Sequence, residues 1–211
     1  MLKKLAVLFL ALLLCASCTG LAQPTPTPPP SPTPQPTATP APQDSAVDYA
    51  VYKALVETMY TDPKVQRVVI RDYTISSLNP AVSDDKMFEA LQKDLPEVDQ
   101  AMRDSYLARN AQSSLLNDRF NLKVPVTLLS QADFDGFFAK GGKGWDNFYF
   151  QYPNSQGVLA LSRVGFNASG DKALVCASTQ VYALAGAAYA VVLSLENGLW
   201  KVVNQVTLWT S

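Results

Sequence analysis

From Thr19 to Gln43 the chain reads TGLAQPTPTPPPSPTPQPTATPAPQ, with proline at nearly every second position between Pro24 and Pro36. Proline fixes φ and has no amide hydrogen, so such a tract builds neither helix nor β-ladder and favours an extended polyproline II form. Any packed core must therefore come from residues 44–211. At about 3.1 Å per residue, roughly 25 residues reach on the order of 70 Å when fully extended, so the tract reads as a spacer. Reading Pro26-Thr27-Pro28-Pro29 as a PxxP docking site would require a partner domain class that is mainly intracellular and eukaryotic. The threonines also leave O-glycosylation open.

Ahead of the spacer, Lys3 and Lys4 precede an unbroken apolar run from Leu5 to Leu14, and Cys15-Ala16-Ser17 lead to Cys18. A positive start and a short apolar run make a secretory signal, too short for a membrane span. Its ending resembles a bacterial lipobox, in which a cysteine after small residues is lipidated and becomes the first residue of the mature protein. The resemblance implies a signal peptide over 1–17, lipidation at Cys18, and a Pro/Thr-rich disordered tether over 18–43. Cys15 stands where that pattern usually has Leu, and is itself a poorer acceptor because bulky Leu14 precedes it. Two or more acyl chains anchor stably where one does not, so the implied partner is a bacterial membrane. The alternative is an ordinary signal cleaved near Ala22, giving a secreted protein.

Residues 44–211 are enough for one domain with a real core. Leaving out Lys3 and Lys4, the chain has 15 Lys+Arg against 18 Asp+Glu, a net of −3 with no basic stripe, which speaks against nucleic-acid binding. With Cys15 removed and Cys18 acylated, Cys176 has no intramolecular partner, and its apolar setting, Ala173-Leu174-Val175-Cys176-Ala177, suits a buried small hydrophobe. The chain contains no histidine. That removes Ser-His-Asp and Cys-His arrangements, the commonest zinc ligand sets and the usual proton shuttle near neutral pH. No cofactor or metal is called for. Asp84-Asp85 after Ser83 and Asp133 with Asp135 read as helix starts rather than as catalytic or calcium-binding pairs. Lys140-Gly141-Gly142-Lys143-Gly144 does not match a phosphate-binding loop and reads as a flexible connection.

Val47, Ala50, Val51, Ala54, Leu55, Thr58 and Met59 recur at three- and four-residue steps behind Ser45 and Asp48, which predicts an amphipathic helix with a near capping box. A strand is expected over Val65–Ile75, helices over Ser83–Leu95 and from Glu97 to about Leu116, and a strand over Leu122–Leu128 that Pro125 demotes toward an edge. Ser130 and Asp133 cap a short helix carrying Phe134, Phe137 and Phe138. Trp145, Phe148, Tyr149 and Tyr152 then fall at i, i+3, i+4 and i+7, stacking four aromatics on one helical face. This is either core or an aromatic platform for a glycan or peptide. Four β-rich runs follow, Val158–Phe166, Lys172–Gln180, Tyr189–Leu195 and Trp200–Trp209, with breaks at Asn167–Gly170, Ala185-Gly186 and Glu196–Gly198; Asn197-Gly198 signals a hairpin. The expected fold is α+β, with N-terminal helices covering one face of a C-terminal antiparallel meander.

Trp145-x-x-Phe148-Tyr149-x-x-Tyr152-Pro153, Leu161-Ser162-Arg163-Val164-Gly165-Phe166-Asn167 and Asn197-Gly198-x-Trp200-Lys201-Val202 resemble an uncharacterised group of bacterial exported proteins and lipoproteins, to which no activity is assigned. The closing pattern is also similar to the cone-shaped, nuclear-transport-factor-like fold, which implies a sheet enclosing a pocket and says little of function. Arg163 shares a strand face with Leu161, and is expected either in a buried pair with a carboxylate or at a ligand. Two functional readings stand. One is a tethered, non-catalytic binding or envelope-associated domain whose partner is an extracytoplasmic protein or glycan. The other is a small-molecule pocket or weak hydrolase or isomerase using Asp72, Tyr73, Tyr149 and Tyr152.

Overall fold

The structure is a computed structural model describing residues 45–76, 83–139 and 141–211. The expected signal peptide, Cys18 and tether lie outside the described residues, as does Lys140 of the glycine loop.

Helix α1, Ala46–Met59, starts with the capping box its sequence announces. Ser45 Oγ accepts the Asp48 amide, and the Asp48 carboxylate accepts the Ser45 amide at 2.5 Å. Strand β1 is Arg67–Arg71, shorter than the run expected to Ile75. Helices α2, Asp84–Asp94, and α3, Gln100–Asn110, follow. Because Asp99 caps α3 by accepting the Met102 amide at 2.8 Å, that helix starts later than Glu97, and it ends before Leu116. Strand β2 is Val126–Leu129, beginning only after Pro125, and Ser130 caps α4, Gln131–Phe138. Then come α5, Trp145–Gln151, and strands β3, Ser155–Leu161; β4, Gly165–Phe166; β5, Lys172–Tyr182; β6, Ala185–Glu196; and β7, Leu199–Thr210.

These elements make an α+β fold around one mostly antiparallel sheet ordered β2-β1-β3-β5-β6-β7, with β4 on β5 beside the end of β3. As Pro125 implied, β2 is an edge strand. The meander holds for β5-β6-β7, but β1 pairs parallel with both β2 and β3, so the sheet is mixed. Asn197 and Gly198, at φ 52° and 79°, form the two-residue β6–β7 turn, where only residues tolerant of positive φ fit well. Ala185-Gly186 is not a break. Tyr182 pairs with Ala185, so the turn is Ala183-Leu184 and the glycine lies within β6.

The helices cover both faces of the sheet rather than one. On the first face, Val51, Tyr52 and Leu55 of α1 join Leu116 and Phe120 over Val68, Ile70, Leu159, Leu161, Val175 and Val191. On the second, Phe88, Leu91, Met102 and Tyr106 of α2 and α3 cover Leu174, Cys176, Ala190 and Val192. Farther along that second face, Phe137, Trp145, Phe148 and Tyr152 of α4 and α5 cover Val69, Leu129 and Val158. Double coverage explains why Ala173–Ala177 is buried without alternation. Cys176 is buried in the second-face core.

Candidate functional site

The Ser-Arg-Val-Gly-Phe-Asn segment lies between β3 and β4. Leu161 pairs with Ala177 and Gly165 with Leu174, so Ser162, Arg163 and Val164 are held between two stretches that share β5. Ser162 bridges the gap: its amide donates to the Cys176 carbonyl and its Oγ accepts from the Cys176 amide, both at 2.8 Å. Arg163 is gripped by the Asn110 side chain of α3, whose Oδ1 accepts the Arg163 amide at 2.8 Å while its Nδ2 donates to the Arg163 carbonyl at 3.0 Å. The buried Arg163 guanidinium donates to the Arg109 carbonyl, one of the groups a helix C-terminus leaves without an internal partner. At Gly165 a Cβ would stand 2.6 Å from that of Tyr106, so α3 approaches as closely as it does only because the residue is glycine. Phe166 donates its amide to Ser105 Oγ, and Asn167 Oδ1 accepts the amides of Asp171 and Lys172 to close the turn into β5. Each of these contacts docks α3 or shapes the sheet.

The aromatic stripe also turns inward. Trp145, Phe148 and Tyr152 are buried, with ring centroids 5.2 Å apart for Trp145–Phe148 and for Phe148–Tyr152. Tyr149 is half-buried. Between Gln180 and Tyr182 the β5–β6 register slips by one residue, leaving Val181 as the extra residue of a bulge, and the Tyr149 hydroxyl donates to its carbonyl at 2.9 Å. The hairpin thereby leans on α5, and the exposed Tyr182 ring packs 5.5 Å from Tyr149 and 6.1 Å from Trp145. Burial holds the Tyr149 and Tyr152 phenols above their ordinary pKa; Tyr182 adds to the effect at Tyr149 and Asp133 at Tyr152. Tyr182 belongs to this cluster although it lies 30 residues beyond the stripe; a tyrosine just before a turn was the available sequence signal.

No protein-family model, curated protein or solved structure matches this chain. The likeness to bacterial exported proteins thus rests on the quoted residues alone.

Asp72 follows β1, where its amide donates to Leu129 and its carbonyl accepts from Leu116. Its Oδ1 is buried without a hydrogen-bond partner among the described residues. The register sets Ser155 beside Arg67 and Leu129 beside Arg71, so Tyr152 and Asp72 stand at opposite ends of β1, about 17 Å of strand apart. Asp72 and Tyr152 are therefore not assembled into one site. At the C-terminal ends of β1 and β2 a groove of about 550 Å³ is lined by Arg71, Tyr73, Ile75, Ser76, Ser113 and Gln131. Arg71 lies over the Phe134 ring and donates to Gln131; burial lowers its pKa against the opposing pull of Asp135 and Asp72.

Proposed function

We propose that this chain is a membrane-tethered bacterial lipoprotein whose 44–211 domain is non-catalytic and binds an extracytoplasmic protein or glycan. The observation that carries the reading is the order of segments: a positive start, an apolar run ending at Cys18, a proline spacer, and then a capped helix at Ala46. The engagement of Arg163, Trp145 and Tyr152 in packing supports it, since none of the three is left facing an open catalytic cleft. Cys18→Ala is expected to abolish metabolic labelling with a fatty-acid analogue and to move the protein out of the membrane fraction. Label that persists unchanged on the variant refutes the lipid assignment.

A second reading, a small polar ligand at the C-terminal ends of β1 and β2, is favoured by the Arg71 groove, because ligands in sheets with parallel strands commonly bind beyond those ends. Ligand-induced shifts of Arg71 and Gln131 resonances against a panel of small carboxylates and sugars test it; an unresponsive groove counts against it.

A further inference from the structure

Strand β7 closes the sheet at the end opposite β2, and the two edges differ in how they are protected. β2 has four residues and follows Pro125, whereas β7 has twelve residues, no proline and, as its one charge, Lys201. Short length, proline, charge and bulges are the usual guards of an open edge; β7 lacks the first two and carries a single charge and two bulges. Among the described strands it is paired on one side alone. Helix α1 packs on it, and Trp200, Val202, Val206 and Leu208 are half-buried against the two helical layers, while Leu199 and Val203 are exposed. One groove of about 530 Å³ runs between α1 and residues 198–202, and another of about 220 Å³ runs between α2 and residues 206–208, lined by Met87, Leu91, Val206 and Leu208 with Asp94 at its rim.

A bulge decides what could pair there. Val192 stands opposite Asn204 and Leu193 opposite Val202, so Val203 is the extra residue. Before it, Trp200 and Val202 face the α1 side while Leu199 and Lys201 face the α2 side; after it the parity reverses, and Asn204 and Val206 face α2. In an antiparallel pair, directly opposed residues point to the same face. Set against itself about a two-fold axis between Val202 and Val203, β7 satisfies that condition at three successive pairs on either side of the bulge: Leu199 with Val206, Trp200 with Gln205 and Lys201 with Asn204. Without the bulge this register would oppose residues of unlike face.

We propose that β7 is a docking edge for a second copy of this chain, joined in that register. Two further features select a second copy as the occupant. Leu199, 67% exposed, would lie beside Val206 of the other copy, over the apolar groove of α2. Lys201, which pairs with Glu196 of its own hairpin at 2.8 Å, would lie beside Asn204, whose side chain donates to the Glu97 carboxylate and to the Asp94 main-chain carbonyl, so the one cation of the strand meets the Glu97 carboxylate of the other copy. A two-fold interface presents each complementary pair twice.

The test uses the full chain extracted from membranes in mild detergent. With Leu199→Cys and Val206→Cys together, oxidation is expected to yield a disulfide-linked dimer that neither single variant gives. Lys201→Glu, at an exposed position, is expected to weaken the native dimer by about tenfold or more through like-charge opposition, and Glu97→Lys in the same chain to restore it. A wild-type chain that is monomeric, a double-cysteine chain that does not cross-link, or a dimer indifferent to Lys201→Glu would each overturn the proposal. So would β7 taking up an extended peptide of another protein while the chain stays monomeric.

Discussion

Gly165 and Arg163 show why a distinctive run of residues need not mark a binding site. The packing of α3 against β4 leaves no volume for a methyl group at Gly165: the nearest atoms are the Cβ, Cα and N of Tyr106, none of which can swing aside. Gly165→Ala is expected to lower stability by about 1 to 3 kcal/mol, read as a shift in denaturant midpoint at unchanged slope. Arg163→Ala removes a buried guanidinium that ties the strand to the end of α3, and is expected to lower the melting temperature. An unchanged melting temperature would instead return Arg163 to a ligand-binding role. Asn110 could not be found from the sequence, because its partner lies 53 residues away and an asparagine at the end of a helix usually signals termination.

Among the elements, those set by local chemistry could be read directly. The Ser45–Asp48 capping box, the Ser130 cap, the Asn197-Gly198 turn and the edge placement implied by Pro125 each depend on neighbours within a few residues. The parallel pairing of β1 with β2 and β3 depends on crossovers of dozens of residues and leaves no local trace. Coverage of both sheet faces was hinted at by the continuous apolar run at Ala173–Ala177, although that run alone does not say which helices supply the cover. The aromatic stripe allowed two readings because a core face and an exposed platform need the same spacing. Packing decided for the core, and it also drew in Tyr182.

This clustering makes the phenols a probe of the hairpin and α5. Burial raises the pKa of Tyr149 and Tyr152 in this cluster and of Tyr60, which follows α1 and packs on the first-face core, with Tyr149 and Tyr189 adding to the effect at Tyr60. The native state therefore holds these protons more tightly than the unfolded chain. Their contribution to stability is fully present below the unfolded tyrosine pKa of about 10, and is lost as pH rises from there through the folded values. Spectrophotometric titration is expected to show a late-ionising group of tyrosines, accompanied by a stability that falls on the alkaline side. Simultaneous ionisation of all the tyrosines at their ordinary pKa would contradict the packing of this cluster.

At the level of the molecule, helices on both faces of one sheet make three layers, and this packing, which includes Cys176, is expected to hold the domain without a metal or a cross-link. The tryptophans contribute unequally. Trp145 is buried among other rings, whereas Trp200 and Trp209 are only half-buried on β7, the strand at the sheet's edge. The proposed tethered binding role requires that the core stand by itself. The most direct measurement is equilibrium unfolding of a 44–211 fragment followed by tryptophan emission. A single cooperative transition is expected, unaffected by chelator or reductant, with blue-shifted emission that moves red as the chain unfolds. Water-exposed emission from the start, or a transition that disappears on adding chelator, would contradict a self-sufficient three-layer core.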